Sequence, residues 1–215
     1  MVPHCTAQLT QTWRRPCTTP MLTNTIYKQT VEVTLDLDTA QPELILSAEG
    51  KQVRKGEIRQ RLPDTRERFD DRPCVLGREG FTSGRRYWQV QVGENTRWRL
   101  GVSTESAERK GEFSMIPQQG YWTVTWWSGD RGEFTALTDP RTPLPLPRRL
   151  KPRRLGVYLD YEEGQLSVYN VETRSHIYTF TDMDFKPNEK LYPFFYTSCL
   201  TDLVLVSPDP VSAAH

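Results

Sequence analysis

Two carboxylates, Asp160 and Glu162, stand two residues apart in the sequence. On an extended strand that spacing leaves both on one face about 7 Å apart, a separation that a glycosidase acid/base pair can use. Glu162 and Glu163 also run directly into Gly164, so turn chemistry accounts for the same residues, with both glutamates solvated. A hydrolytic reading needs a third group, and His176 is the one histidine inside the patterned region, embedded in Ser175-His176-Ile177-Tyr178-Thr179-Phe180. No Ser-His-Asp or Cys-His arrangement accompanies it, so nothing would activate a nucleophile, and His176 reads as a structural strand histidine. The four cysteines (Cys5, Cys17, Cys74, Cys199) include no C-x-x-C pair, and the three histidines (His4, His176, His215) lack metal-ligand spacing. The expectation is therefore no enzyme, no catalytic residue, no metal and no cofactor. Cys74 and Cys199 lie among hydrophobic residues and read as buried free thiols.

Binding chemistry is better represented. In Tyr121-Trp122-Thr123-Val124-Thr125-Trp126-Trp127 an extended backbone puts Trp122 and Trp126 on one face and Trp127 on the other or on the following loop. Adjacent tryptophans cannot both enter a core from one strand, so Trp127 leads as an exposed contact residue. The formal net charge is +1, too small a field to hold a phosphate backbone, and nucleic acid is not an expected partner. Arg148-Arg149-Leu150-Lys151-Pro152-Arg153-Arg154 is locally basic and could act as a nuclear-import signal or meet an acidic partner, although its prolines and leucine suit a solvated loop. The start of the chain has no apolar run of signal-peptide type, no Asn-x-Ser/Thr sequon occurs, and no stretch approaches the ~20 apolar residues of a membrane helix. A reducing, cytoplasmic setting without membrane insertion is expected.

The elements that must hold these residues are strands. Residues 1–30 are rich in Thr, Pro and Gln with no period of 2 or 3.6 and read as an irregular leader. From Val31 the chain becomes short β-branched and aromatic runs punctuated by Gly, Pro and Asp, which predicts an all-β, two-layer antiparallel sandwich. Trp88, Val90 and Val92 alternate with Gln89 and Gln91, and Trp98, Leu100 and Val102 repeat the pattern beyond Gly93-Glu94-Asn95-Thr96; the two runs predict a hairpin. Residues 155–161 and 165–169 predict a second hairpin, with Gly164 supplying positive φ. Further strands are expected at 31–36, 44–47, 121–127, 176–180, 191–196 and 203–206.

These segments resemble the PRY-SPRY family found at the C-termini of tripartite-motif ubiquitin ligases and butyrophilins. The likeness runs from about Val31 to Pro208: Leu35-Asp36-Leu37-Asp38-Thr39-Ala40, Leu44-Ile45-Leu46-Ser47, Leu62-Pro63-Asp64 and Glu67-Arg68-Phe69 in the PRY half (31–80), then Pro73-Cys74-Val75-Leu76-Gly77, Ser83-Gly84-Arg85-Arg86-Tyr87-Trp88, Leu100-Gly101-Val102, Gly120-Tyr121-Trp122, Leu159-Asp160-Tyr161-Glu162 and Pro193-Phe194-Phe195 in the SPRY half (81–208), with 209–215 as a tail. Leu37 replaces a usual proline and Thr65-Arg66 a usual Asn-Pro. Four scattered cysteines cannot form the zinc modules of a tripartite ligase.

The resemblance implies a jelly-roll-like sandwich that binds another protein through loops at one end, in innate immunity or ubiquitination, as a monomer. In the antibody-binding relative the pocket is an acid, two tryptophans and a phenylalanine, and those positions fall here on Arg99, Thr125, Trp127 and Leu200. With Trp126 and Ser128 they form the expected patch. Only one of the four side chains is kept and the acid has become a base, so antibody binding does not carry over. The phosphoantigen-binding butyrophilins resemble the chain around Ala136–Thr142, and their basic pocket falls on Arg86, Ser114, Thr135 and Arg141, with two cations lost. A small-ligand, phosphoantigen or carbohydrate receptor is the alternative reading.

Overall fold

Side chains alternate across a strand, so a strand carrying large apolar residues at every second position must bury one face, and two such sheets cover each other. The computed structural model describes residues 21–129, 132–146 and 151–207, and shows this arrangement. Its strands are β1 (Leu44–Leu46), β2 (Gln52–Lys55), β3 (Cys74–Leu76), β4 (Arg85–Gln91), β5 (Arg97–Thr104), β6 (Tyr121–Trp127), β7 (Glu133–Ala136), β8 (Thr142–Pro143), β9 (Arg154–Asp160), β10 (Gln165–Asn170), β11 (Ser175–Phe180), β12 (Leu191–Thr197) and β13 (Leu203–Val206). They form a seven-stranded sheet in the order β1-β2-β13-β4-β9-β10-β11 and a six-stranded sheet in the order β3-β12-β5-β6-β7-β8. Trp88, Val90, Val157 and Leu205 from the first face Trp98, Leu100, Trp122, Val124 and Trp126 from the second in one buried core.

The pairing corrects one expectation. The runs at β4 and β5 are not a hairpin: β4 pairs with β13 and β9, while β5 pairs with β12 and β6. The turn between them crosses from one sheet to the other. Gly93 takes φ +46°, and the buried Asn95 amide donates to the Thr197 hydroxyl and the Thr201 carbonyl while its oxygen accepts from the Arg97 N–H. That network anchors the turn in the end of the sandwich, and the amides of Val92 and Gly93 donate to Arg153 instead. The β9–β10 hairpin forms as expected, with Gly164 at φ +58°.

Residues 31–36, expected as a strand, form no ladder strand: Leu35 makes an isolated bridge with Gly77, while Val33 and Leu35 enter the main core. The pattern also passed over β2, β3, β7 and β8, which have two to four residues each and leave too few positions for an alternation to show.

The outer faces of both sheets are partly covered. A single helical turn, α1 (Asn24–Tyr27), lays Leu22 and Ile26 over Tyr87 and Tyr169, and the Leu22 amide donates to Arg174. Within the expected leader, residues 22–30 therefore pack on the sandwich, with Leu22 ahead of the turn and Ile26 within it covering an otherwise bare tyrosine face. The rest of that leader, 1–20, lies outside the described residues, as does the tail. On the second sheet Phe69, Phe113 and Met115 cover Cys74, Leu76, Tyr121 and Phe194. Burial pushes the Cys74 thiol well above its usual pKa, whereas Cys199 is partly exposed, against the expectation of two buried thiols.

Two outcomes follow. In native protein treated with iodoacetamide, mass spectrometry should find Cys199 alkylated and Cys74 protected until denaturant is added. A methyl at Gly101, on β5, would lie 1.9 Å from the Trp122 carbonyl oxygen, so Gly101→Ala should cost about 3 kcal/mol or more in urea unfolding.

Candidate functional site

Register fixes which side chains of the six-stranded sheet share its outer face. Arg97 stands opposite Trp127 and Arg99 opposite Thr125; Tyr196 flanks Arg99 from β12, and Thr135 and Glu133 flank Thr125 and Trp127 from β7. Because Trp122, Val124 and Trp126 point inward, Thr125 and Trp127 must point outward. The loops carrying Phe69 and Phe113 cover this face near Tyr121 and Phe194. Among the described residues the half bearing Arg97 and Trp127 stays open.

Trp127 is 55% exposed. The Arg97 guanidinium lies 5.7 Å from its ring centroid, a cation–π contact that holds the indole at about 0.5–1 kcal/mol for an exposed pair. Arg99 is more deeply set. Its guanidinium stacks 4.6 Å from the Tyr196 ring centroid and donates to the Met115 sulfur at 2.9 Å. Burial pulls its pKa below the usual arginine range, and the like charges of Arg72 and Arg97 add to that; the group remains a cation at any physiological pH. The Thr125 hydroxyl donates to the Trp98 carbonyl. Ser128 follows, its amide donating to Thr96.

Trp126 departs from the expected patch. It is 1% exposed, packs on Phe134, and belongs to the core, so it supports the face without touching a partner. Leu200, 59% exposed, lies on the neighbouring side of the same end. It lines a concavity of about 660 Å³ with Leu37, Ile45, Ile58, Arg54 and Gln60. The segment Ser198–Leu200 joins the two halves: Ser198 N–H donates to the Arg97 carbonyl, and the Cys199 carbonyl accepts from Lys55 at the end of β2. Leu37, Ile45 and Ile58, at 50%, 38% and 80% exposure, add apolar surface that the sequence reading missed. The signal was there in part, since Leu44 buried and Ile45 outward is the alternation of β1. Arg97 and Tyr196 were missed as well.

Arg86 and Arg141 are not brought to this end. Arg86 sits near the start of β4, in the other sheet and about five residues, roughly 17 Å, from that strand's Gln91 end. There it rests on Phe81. Arg141 precedes β8, which pairs through Ala136 and Thr142. The two cations converge on no common cavity among the described residues.

Asp160 and Glu162 serve the fold. Asp160 pairs with Arg85 at 2.8 Å and accepts from Glu163 N–H. Glu162 takes the Gly84 amide on both oxygens, at 2.7 and 3.0 Å, which holds its carboxyl below the usual range. His176 bonds the Thr179 hydroxyl, and burial lowers its pKa. Within the basic run, Lys151 donates to the Gly93 and Asn95 carbonyls and Arg153 meets Glu94, while Arg148, Arg149 and Leu150 lie outside the described residues. Among the described residues no His/Cys/Asp/Glu cluster could hold a metal, and no helix is long and apolar enough to cross a membrane.

A rigid two-sheet scaffold presenting one aromatic, cationic and apolar end surface defines a β-sandwich interaction module. The family comparison agrees. The SPRY domain model matches residues 85–203 and the SPRY-associated domain model residues 33–81. The chain belongs to the SPRY-domain family, with the PRY extension. It is 50% identical over 165 residues to human (Homo sapiens) butyrophilin subfamily 1 member A1, covering 77% of this chain and 30% of the relative. It is 43% identical over 176 residues to the E3 ubiquitin-protein ligase TRIM11 of Bos taurus, covering 80% of this chain and 35% of that protein. The chain thus spans about a third of the length of these relatives. The crystal structure of the TRIM65 PSpry domain shares the fold, with a TM-score of 0.69 at 22% identity over 85% of this chain and 93% of that one.

The division between core and face is measurable. Trp126→Ala should cost about 3–5 kcal/mol in denaturant unfolding, and Trp127→Ala only about 0.5–1 kcal/mol, the value of its cation–π contact. Because the folded Glu162 pKa is depressed, its contribution is complete above the ordinary carboxylate pKa and lost as pH falls through the folded value. Glu162→Gln should therefore lower the unfolding temperature near neutral pH, with the difference shrinking as pH falls below the ordinary carboxylate range.

Proposed function

We propose that this chain recognises a partner protein through the end surface built by Arg97, Arg99, Thr125, Trp127 and Tyr196, extended by the apolar concavity at Leu200, and that it catalyses nothing itself. The observation that carries this reading is the exposed indole of Trp127. Trp88, Trp98, Trp122 and Trp126 are all buried, so the fold has no need of Trp127, and large amphipathic side chains held on rigid strands are the usual anchors of protein interfaces. The concavity at Leu200 adds the exposed apolar side chains of Leu37, Ile45 and Ile58 beside Arg54, Glu57 and Gln60.

The relatives suggest the setting. One is named an E3 ubiquitin-protein ligase and another a butyrophilin, and we place this module in ubiquitination or innate immunity, acting in the cytoplasm as a monomeric unit. A carbohydrate reading would use the flat face of Trp127 for stacking, but no second exposed aromatic ring accompanies it among the described residues. A phosphoantigen reading needs convergent cations, and Arg86 and Arg141 are apart.

Proximity labelling followed by pull-down tests the site. Partners should be recovered by the wild-type chain and lost from the Trp127→Ala/Arg99→Glu double variant, with unchanged recovery by an Arg86→Ala/Arg141→Ala control. Loss from the control and retention by the double variant would move the site elsewhere.

A further inference from the structure

Several arginines in this fold are satisfied by carbonyls or carboxylates. Arg68 donates to the carbonyls of Pro63, Leu37 and Ala40, Arg109 to those of Glu67 and Glu105, and Arg85 and Arg153 pair with carboxylates. The end surface breaks this pattern. Arg97, Arg99 and Arg72 form no ion pair among the described residues. Arg72 reaches the same face from the start of β3, where Cys74 lies beside Tyr196 and Tyr196 beside Arg99. Its Nε is buried with no hydrogen-bond partner, and its guanidinium rests 5.8 Å from the Phe113 ring centroid. Arg99 spends one N–H on a thioether, a weak acceptor, and offers the rest outward. Three like charges are therefore held against aromatic and thioether walls without an ion pair among the described residues, an arrangement that an arriving anion stabilises.

We propose that this face reads an acidic side chain, Asp or Glu, in an extended segment of the partner protein, with an apolar neighbour of that acid packing on Trp127. The inference rests on the end surface being the binding site and adds the chemistry it selects. A carboxylate is planar and matches the two-pronged geometry of a guanidinium, and one negative charge balances the cluster without the far larger desolvation penalty of a phosphate dianion against Tyr196, Met115 and Trp127. Position is specified too. Glu133 stands beside Trp127 on the side away from Arg97, so the acid must enter on the β5 side of the indole and is repelled from the β7 side. Three clustered guanidinia on a chain of net charge +1 make a point contact and no track for a nucleic acid backbone.

The test uses the full chain as bait for a phage-displayed library of random peptides, followed by synthetic versions of the enriched sequences. Enriched peptides should carry Asp or Glu next to an apolar residue. Replacing that acid by its amide should weaken binding about tenfold or more, as should Arg99→Gln or Arg97→Gln in the chain. Arg99→Glu should shift the selected peptides towards Lys and Arg. Each variant is used only if its unfolding midpoint matches the wild type, and Arg97→Gln, whose side chain is exposed, serves if the Arg99 variants unfold. Peptides without an acid preference that are still lost on Trp127→Ala would overturn the inference and leave the binding site standing. Peptides indifferent to Trp127, Arg97 and Arg99 would sink both. Phosphoserine binding tenfold better than the acid it replaces, a requirement for a free C-terminal carboxylate, or no enriched motif would each overturn the acidic reading.

Discussion

The structure depends on a layer of indoles between two sheets. Trp88 comes from one sheet and Trp98, Trp122 and Trp126 from the other, and all are buried in the same cluster. Burying side chains of this size supplies a large share of the hydrophobic free energy available to a sandwich of this size. It also fixes the register, because sliding any of these strands by one residue would turn its indoles to water and bring threonines or arginines into the core. The outward row, Arg97, Arg99, Thr125 and Trp127, is the geometric complement of the inward one. The exposed row and the core row thus occupy alternate residues of the same two strands.

Coverage decides which part of that outward row is available. Phe69, Phe113 and Met115 close the face near Tyr121 and Phe194, and among the described residues Trp127 stays 55% exposed. The face becomes a surface at the point where the covering loops end, and Arg72, Arg99 and Tyr196 mark that border. The Ser198–Leu200 segment then ties this open half to the concavity at Ile45 and Ile58, so that one end of the sandwich carries cationic, aromatic and apolar surface side by side. A partner can contact all of it without any movement of the scaffold, which lowers the ordering cost of association.

Much of the fold was legible from the sequence because period two is a strong signal in long strands. β4, β5, β6, β9, β10 and β12 stand where alternation put them. The exposure of Trp127 also followed, from the impossibility of two adjacent inward tryptophans. Short strands such as β8 left no pattern to read, and the destination of β5 was decided by a buried asparagine network that spacing does not reveal. For the site, block-by-block resemblance carried Arg99, Thr125, Trp127 and Leu200 to one end of the molecule, although Leu200 faces a different pocket from the others. The same method could not join Arg86 to them, because it compares chemistry position by position and the two belong to different sheets. Arg72, Arg97 and Tyr196 come from three separate strands or their approaches, and only the pairing of β3, β12 and β5 places them together.

The proposed binding surface is confined to the Trp127 end. Its most direct test is site-specific photo-crosslinking in cell extract, with the photoreactive residue installed in place of Trp127 and, in parallel, in place of Arg86 and of Arg141. Adducts formed from position 127 and competed away by untagged wild-type chain, with none from 86 or 141, are the predicted result. Specific adducts from 86 or 141 with none from 127 would contradict it.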